Sequence, residues 1–215
     1  MKLVPRLMLM LLALAPAVTL AEDAKALVAD RDYQVIATPA RYTAEDGRIE
    51  VAEVFGYTCG HCAHFEPILQ PWVARLPKDV RFVTVPAVFG GHWDAYARAY
   101  FAAEELGVVH KTHGAVFEAI HQRGTLPVQN VSAQELASFY GGHGVDQARF
   151  VQALRSDKVD GKLKAARSFA VNAGVRGTPN LVVNGKYLVR GSSFEDVLRI
   201  TDALVARERA ARRGR

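Results

Sequence analysis

Cysteine is almost absent from this chain: its 215 residues contain two, Cys59 and Cys62. A disulfide scaffold needs several pairs and a structural zinc site about four ligands, so neither fits one close pair. Methionine occurs only at Met1, Met8 and Met10, and no internal repeat or low-complexity segment is visible. One-sided charge is also missing from the body of the chain. The formal charge of +5 is carried by the ends, Lys2 and Arg6 at the start and the Arg-rich RERAARRGR after Ala206. The near-neutral body has no basic stripe interleaved with aromatics, so no nucleic-acid surface is expected. The Arg tail reads as a frayed, solvated helix end.

What is present starts with MKLVPRLMLMLLALAPAVTLAED. Two basic residues precede an apolar run from Leu7 to Leu20, followed by small residues and Glu22. This pattern predicts a secretory signal peptide over residues 1–21, cut after Ala21 or, alternatively, after Ala17. The mature chain is then exported, with a periplasm-like compartment in which disulfides persist. Its remaining length suits one domain, or one domain carrying an insertion.

The order of elements follows from periodicity. DYQVIATP reads as a short early strand, and EVAEVFGY, mostly apolar and of strand length, as a central buried strand. A helix is expected from near Gly60 to Arg75, with Pro67 inside it predicting a kink. VRFVTVPAVF, rich in β-branched and aromatic residues, reads as the next strand. From His92 onward, HWDAYARAYFAAEELG, KTHGAVFEAIHQRG, SAQELASFYGG, VDQARFVQALRS and DKVDGKLKAARSFAVNAG all have helical spacing, a block of about five helices. NLVV and KYLVR flank Asn184-Gly185, a strong hairpin signal. A final amphipathic helix begins at Ser192 or Ser193.

Cys59-Gly60-His61-Cys62 lies where the buried strand gives way to a helix. As a clip, a disulfide across so short a loop would contribute only about 2 kcal/mol. Metal binding by Cys59, Cys62, His61 and His64 would demand an awkward tetrahedron, so no metal is expected. Haem attachment needs His after the second cysteine, where Ala63 stands. Reactivity remains. A helix start aims unpaired N–H groups and the positive dipole end at Cys59, lowering its pKa, while Cys62, one turn on, faces inward. His61 either adds a proximal cation or donor, or is an incidental surface histidine. Glu53, an acid inside VAEVF, is either a strand-edge carboxylate facing water or a buried acid exchanging protons with Cys62. Pro179, just before the hairpin, is open to a cis or a trans Thr178–Pro179 bond. Tyr57 and Phe89 are candidates for apolar surface or for core, and the seven histidines, His110 and His113 included, read as scattered and solvated.

EVFGYTCGHCAHFEP, AYFAAEELGV with AVFEAIH, and VRGTPNLVVNGKYLV together resemble the thioredoxin superfamily, specifically the DsbA-type thiol oxidases of the bacterial periplasm. The likeness covers nearly the whole mature chain. It implies an α/β thioredoxin fold (residues 22–90 and 166–215) carrying an inserted helical domain of about five helices (residues 91–165). It implies a redox-active Cys59–Cys62 pair with Cys59 the low-pKa nucleophile, a buried acid at Glu53, a cis-proline at Pro179 beside the disulfide, and substrate contact through Thr178 and Pro179. The implied partners are exported proteins with reduced cysteines and a DsbB-like, quinone-linked membrane protein that reoxidises the pair; no cofactor is implied, and a monomer is expected. Gly60 stands where many such proteins have Pro, and Thr178 where Val is frequent. A periplasmic isomerase or reductase is the nearest alternative function, and a cysteine-based metallochaperone is one from a different class.

Overall fold

The computed structural model describes residues 26–214, so the signal-peptide reading over residues 1–21 lies outside it. Strands β1 (Tyr33–Val35), β2 (Ile49–Phe55), β3 (Val80–Pro86), β4 (Asn180–Val183) and β5 (Tyr187–Val189) form one sheet in the order β1-β5-β4-β2-β3. β2 runs parallel to β3 and antiparallel to β4, and every residue of IEVAEVF is buried. A strand covered on both faces has no solvent side for polar residues, which explains its near-continuous apolar run.

Helix α1 (Gly60–Val73) connects β2 to β3 and runs through both Pro67 and Pro71. Each proline removes one N–H from the ladder. Its buried residues Phe65, Leu69 and Trp72 recur at helical spacing and join Ile49, Val51, Leu181 and Val183 in a core on one face of the sheet. The last helix, α7 (Phe194–Arg213), completes that layer with Leu198, Ile200, Leu204 and Val205. The alternate residues Ala52 and Val54 face a larger core made with the helices between β3 and β4. These are α2 (His92–Glu105), α3 (Val109–His121), α4 (Ala133–Gly141), α5 (Gln147–Leu154) and α6 (Asp157–Asn172), matching the five segments of helical period. Helix α6 continues without a break across residues 165 and 166, where the sequence reading divides the two domains.

Local signals end the elements. Asn184 and Gly185 both have positive φ, 52° and 64°, as the tight β4–β5 turn requires. A Cβ on Gly185 would lie 2.3 Å from the carbonyl oxygen of Ala40, so glycine is also demanded by packing. Ser193 caps α7, its side chain accepting from the Asp196 N–H at 3.1 Å. The expectation of a frayed C-terminal tail is corrected. Arg207 donates to the Tyr33 hydroxyl at 2.7 Å, Arg209 forms an ion pair with Asp79, and Arg212 donates to the backbone carbonyls of Gly47 and Arg48. Buried Glu208 accepts from Asn184 and Lys186, tying this end of α7 to the hairpin. Clustered charge found partners across the sheet, which the local sequence did not display. Among the described residues no helix is long and apolar enough to cross a membrane.

Candidate active site

Strand β2 ends at Phe55, and the chain turns through Gly56, Tyr57 and Thr58 into Cys59, the N-cap residue of α1. The Cys59 N–H donates to Gly56 O at 3.1 Å, closing the turn, and the Ala63 N–H donates to Cys59 O at 3.1 Å, opening the helix. Gly56 admits no side chain, because a Cβ would lie 2.1 Å from the Trp93 ring. The Cys59 sulfur is thus held where the free N–H groups of the first helical turn converge. It is partly exposed, whereas Cys62 is 1% exposed; both are free thiols, as in a reduced pair.

The environment drives the two thiols in opposite directions. The Cys59 thiol is lowered to about 5, first by the hydrogen bond from Cys62, then by the Thr178 side chain and the backbone N–H groups of Cys62 and His61, which together outweigh burial. Burial pushes the Cys62 thiol far up, and its hydrogen bond with Cys59 adds to this. A stabilised thiolate beside a sulfur that holds its proton suits one thiol to attack and leave, the other to resolve.

The pairing of β4 with β2 brings the second half of the site into place. Asn180 pairs with Val54, so Pro179 arrives next to the end of β2. The Thr178–Pro179 bond is cis. Cys59 Sγ lies 3.4 Å from the Thr178 carbonyl oxygen, to which it donates when protonated, joining positions 119 residues apart. The Thr178 hydroxyl is buried with no hydrogen-bond partner among the described residues, and lies near enough to both sulfurs to lower both thiols. His61 contributes its backbone N–H; its side chain is exposed and lines a groove with Phe65, Thr178, Pro179 and Phe194.

Glu53 is 3% exposed, so its side chain is buried and not turned to water. Burial raises its pKa well above the ordinary carboxylate range, and the negative charges of Glu66 and Cys59 raise it further. The buried Tyr57, at 2% exposure, belongs to the core, whereas Phe89 is exposed and packs against Trp93.

Sequence reasoning missed two histidines. His113 Nδ1 is 2.8 Å from the Tyr57 hydroxyl, and its Nε2 is 3.6 Å from Glu66 Oε1. His121 Nε2 is 2.7 Å from the Tyr57 carbonyl oxygen. The reading of His113 as a scattered, solvated side chain is therefore corrected. The available signal was the i, i+4, i+8 series His113, Phe117, His121 on one helix, which the solvated reading passed over. Among the described residues no group of three or more His, Cys, Asp or Glu could hold a metal ion.

The family model of the DSBA-like thioredoxin domain matches residues 50–201. The thiol:disulfide interchange protein DsbA of Pseudomonas aeruginosa is 37% identical over 204 residues, covering 94% of this chain and 95% of its own. That of Pseudomonas syringae is 39% identical over 194 residues, 89% of each chain. The crystal structure of the oxidoreductase DsbA from Xylella fastidiosa superposes with a TM-score of 0.82 at 55% identity, covering 83% of this chain and 96% of its own. A helix-capping cysteine pair with opposed thiols, a thioredoxin-type sheet with five inserted helices, and similarity over nearly the full length converge on one assignment. This chain belongs to the DsbA family of thiol:disulfide oxidoreductases.

Proposed function

We propose that this chain is a periplasmic dithiol oxidase that donates a Cys59–Cys62 disulfide to newly exported proteins and so assists their oxidative folding. The observation that carries this reading is the opposed displacement of the two thiols, Cys59 down to about 5 and Cys62 up. Stabilising the Cys59 thiolate favours the reduced pair over the disulfide, so the disulfide is a strong electron acceptor, the behaviour for which DsbA-type enzymes are the standard example.

In the proposed reaction a substrate thiolate attacks Cys59 Sγ of the disulfide. The S–S electron pair leaves with Cys62, which takes a proton from Glu53; solvent then reprotonates Glu53. A second substrate thiolate attacks the substrate sulfur of the mixed disulfide and expels Cys59, whose low pKa makes it a fast leaving group. Two electrons pass from substrate to enzyme; of the two substrate protons, one ends on Cys62 and one in solvent, with Cys59 left as thiolate.

The remaining roles are assigned on the same footing. The backbone around Thr178 and cis-Pro179 pairs with an extended substrate segment, and the groove between His61, Phe65 and Phe194 takes its side chains. The exposed His61 ring sits at the mouth of that groove, where it adds a donor or a positive charge beside Cys59. The thioredoxin-like part, residues 22–90 and 166–215, carries the redox chemistry, and the insertion, residues 91–165, bounds it. The enzyme acts as a monomer without a resident cofactor, and a quinone-linked DsbB-like membrane protein restores the disulfide.

Titration of thiolate absorbance and a glutathione redox equilibrium test the reading together. A Cys59 midpoint near 5 with a strongly oxidising couple is expected. A midpoint near the ordinary cysteine value of 9.0, with a thioredoxin-like couple, would favour a reductase or isomerase. In cells lacking their own periplasmic oxidase, the chain should restore disulfides only while a quinone-linked membrane partner is present.

A further inference from the structure

Tyr57 lies two residues before Cys59, and the inserted helix α3 holds it by both ends. His121 Nε2 is 2.7 Å from its main-chain carbonyl oxygen, and since a carbonyl only accepts, that nitrogen carries the proton. His113 Nδ1 is 2.8 Å from its hydroxyl. The other nitrogen of His113 faces Glu66 Oε1 of α1 at 3.6 Å, an ion-pair separation too long for a hydrogen bond. In neutral His113 this favours a proton on Nε2, so that the Tyr57 hydroxyl donates to Nδ1. The two histidines lie two helical turns apart, with Phe117 between them packed against the rings of Tyr57 and Phe55. Trp93 of α2 occupies the space over Gly56, on the chain-preceding side of the same turn. No other part of the β2–α1 turn is bonded to the inserted helices through side chains in this way among the described residues.

We infer that His113 and His121 are positioning residues of the redox centre: together they clamp Tyr57 and thereby fix the turn that delivers Cys59 to the start of α1. The inference rests on the oxidoreductase reading of that site. The physical reason is geometric. The Cys59 N–H is spent closing the turn onto Gly56 O, so the direction of the Cys59 side chain follows from where Gly56 and Tyr57 are held. A sulfur that drifts from the helix start loses the N–H groups that stabilise its thiolate. Packing alone would keep Tyr57 buried without setting the orientation of its carbonyl. The inserted helices, on this account, set the chemistry of the site as well as covering the sheet.

The test uses the full mature chain and three substitutions. His121→Ala removes the donor to the Tyr57 carbonyl, His121→Gln retains a side-chain N–H that can reach it, and Tyr57→Phe removes only the hydroxyl that His113 holds. For each, thiolate absorbance is titrated and the glutathione equilibrium measured beside thermal unfolding. His121→Ala is expected to move the Cys59 midpoint upward and shift the equilibrium about threefold toward the disulfide form, with His121→Gln restoring most of both. Tyr57→Phe should shift both in the same direction and by less. If the substitutions lower the unfolding temperature while midpoint and equilibrium stay at the wild-type values, the histidines serve packing only and the inference fails. Should His121→Ala not fold, Tyr57→Phe, which leaves the buried ring in place, decides by the same readouts. The wild-type couple is measured in the same series: a weakly oxidising wild type overturns the proposed oxidase function, whereas an oxidising wild type with unchanged variants overturns only the clamp.

Discussion

Two buried carboxylates stand three residues apart on β2, and their surroundings differ. Glu50, 0% exposed, accepts the backbone N–H groups of Tyr42 and Thr43 at 2.8 and 2.9 Å and the Thr43 hydroxyl at 2.5 Å. Its charge is met by donors aimed at it, and it fastens the segment after β1 to the middle of the sheet. Glu53, at the other end of the strand, is buried near the negative charges of Glu66 and Cys59, and its proton is held far more firmly than an ordinary carboxyl would hold it. The same residue type on the same strand is a structural anchor in one place and, in the proposed mechanism, a proton carrier in the other. The difference lies in whether the fold supplies donors or withholds them.

The comparison can be broken most forcefully at its anchored end. Glu50→Ala leaves two buried N–H groups and a hydroxyl unpaired, and urea unfolding should show a loss of about 3 kcal/mol with little change in the Cys59 titration. A change in the thiolate midpoint as large as that of an active-site variant would mean that the two ends are not separable.

Next in size is the pH dependence of the reduced form. The Cys59 thiol is lowered from 9.0 unfolded to about 5 folded, so its contribution is complete above pH 9 and vanishes as pH falls through 5. At pH 7, allowing for solvent screening at a partly exposed sulfur, it should be worth about 2 kcal/mol. Stability of the reduced protein relative to Cys59→Ser should therefore rise between pH 5 and pH 9. A flat difference curve would remove the thiolate from the energetics.

Glu53→Gln has the opposite sign from Glu50→Ala. A carboxyl whose pKa is raised on folding weakens the fold as pH rises above its unfolded value, 4.5, so the neutral isostere should be more stable at pH 7, by about 1 kcal/mol. Exchange steps that protonate or deprotonate Cys62 should slow about tenfold or more in stopped-flow assays with a model dithiol peptide. A gain in stability with unchanged exchange rates would leave Glu53 as a buried acid with no part in proton transfer. The smallest effect is expected from Thr178→Val, which removes the unpartnered hydroxyl near both sulfurs. The Cys59 midpoint should rise by roughly half a pH unit, and a fall would show that the hydroxyl does not stabilise the thiolate.

Much of this molecule was legible from its residues. The apolar run around Val51 to Phe55, the five helical segments and the Asn184-Gly185 turn each rest on a local rule of periodicity or backbone freedom, and all are found as elements. Cys59 as the start of a helix was legible for the same reason, since the strand-to-helix change is written in neighbouring residues. The roles of charged side chains were less so. The Arg-rich tail reads as frayed in isolation, yet Arg207, Arg209 and Arg212 each meet partners far away in the sequence.

What the sequence determined by itself is therefore the order of elements, the buried central strand and the placing of one reactive cysteine at a helix N-terminus, because these depend on spacing along the chain. Only the tertiary structure decided which buried acid has donors, that Thr178 meets Cys59 across 119 residues, and that His113 and His121 grip Tyr57. Those are meetings between segments distant in sequence. Hydrogen-bond satisfaction and desolvation act through space, and no local pattern records which groups will be brought together or left without a partner.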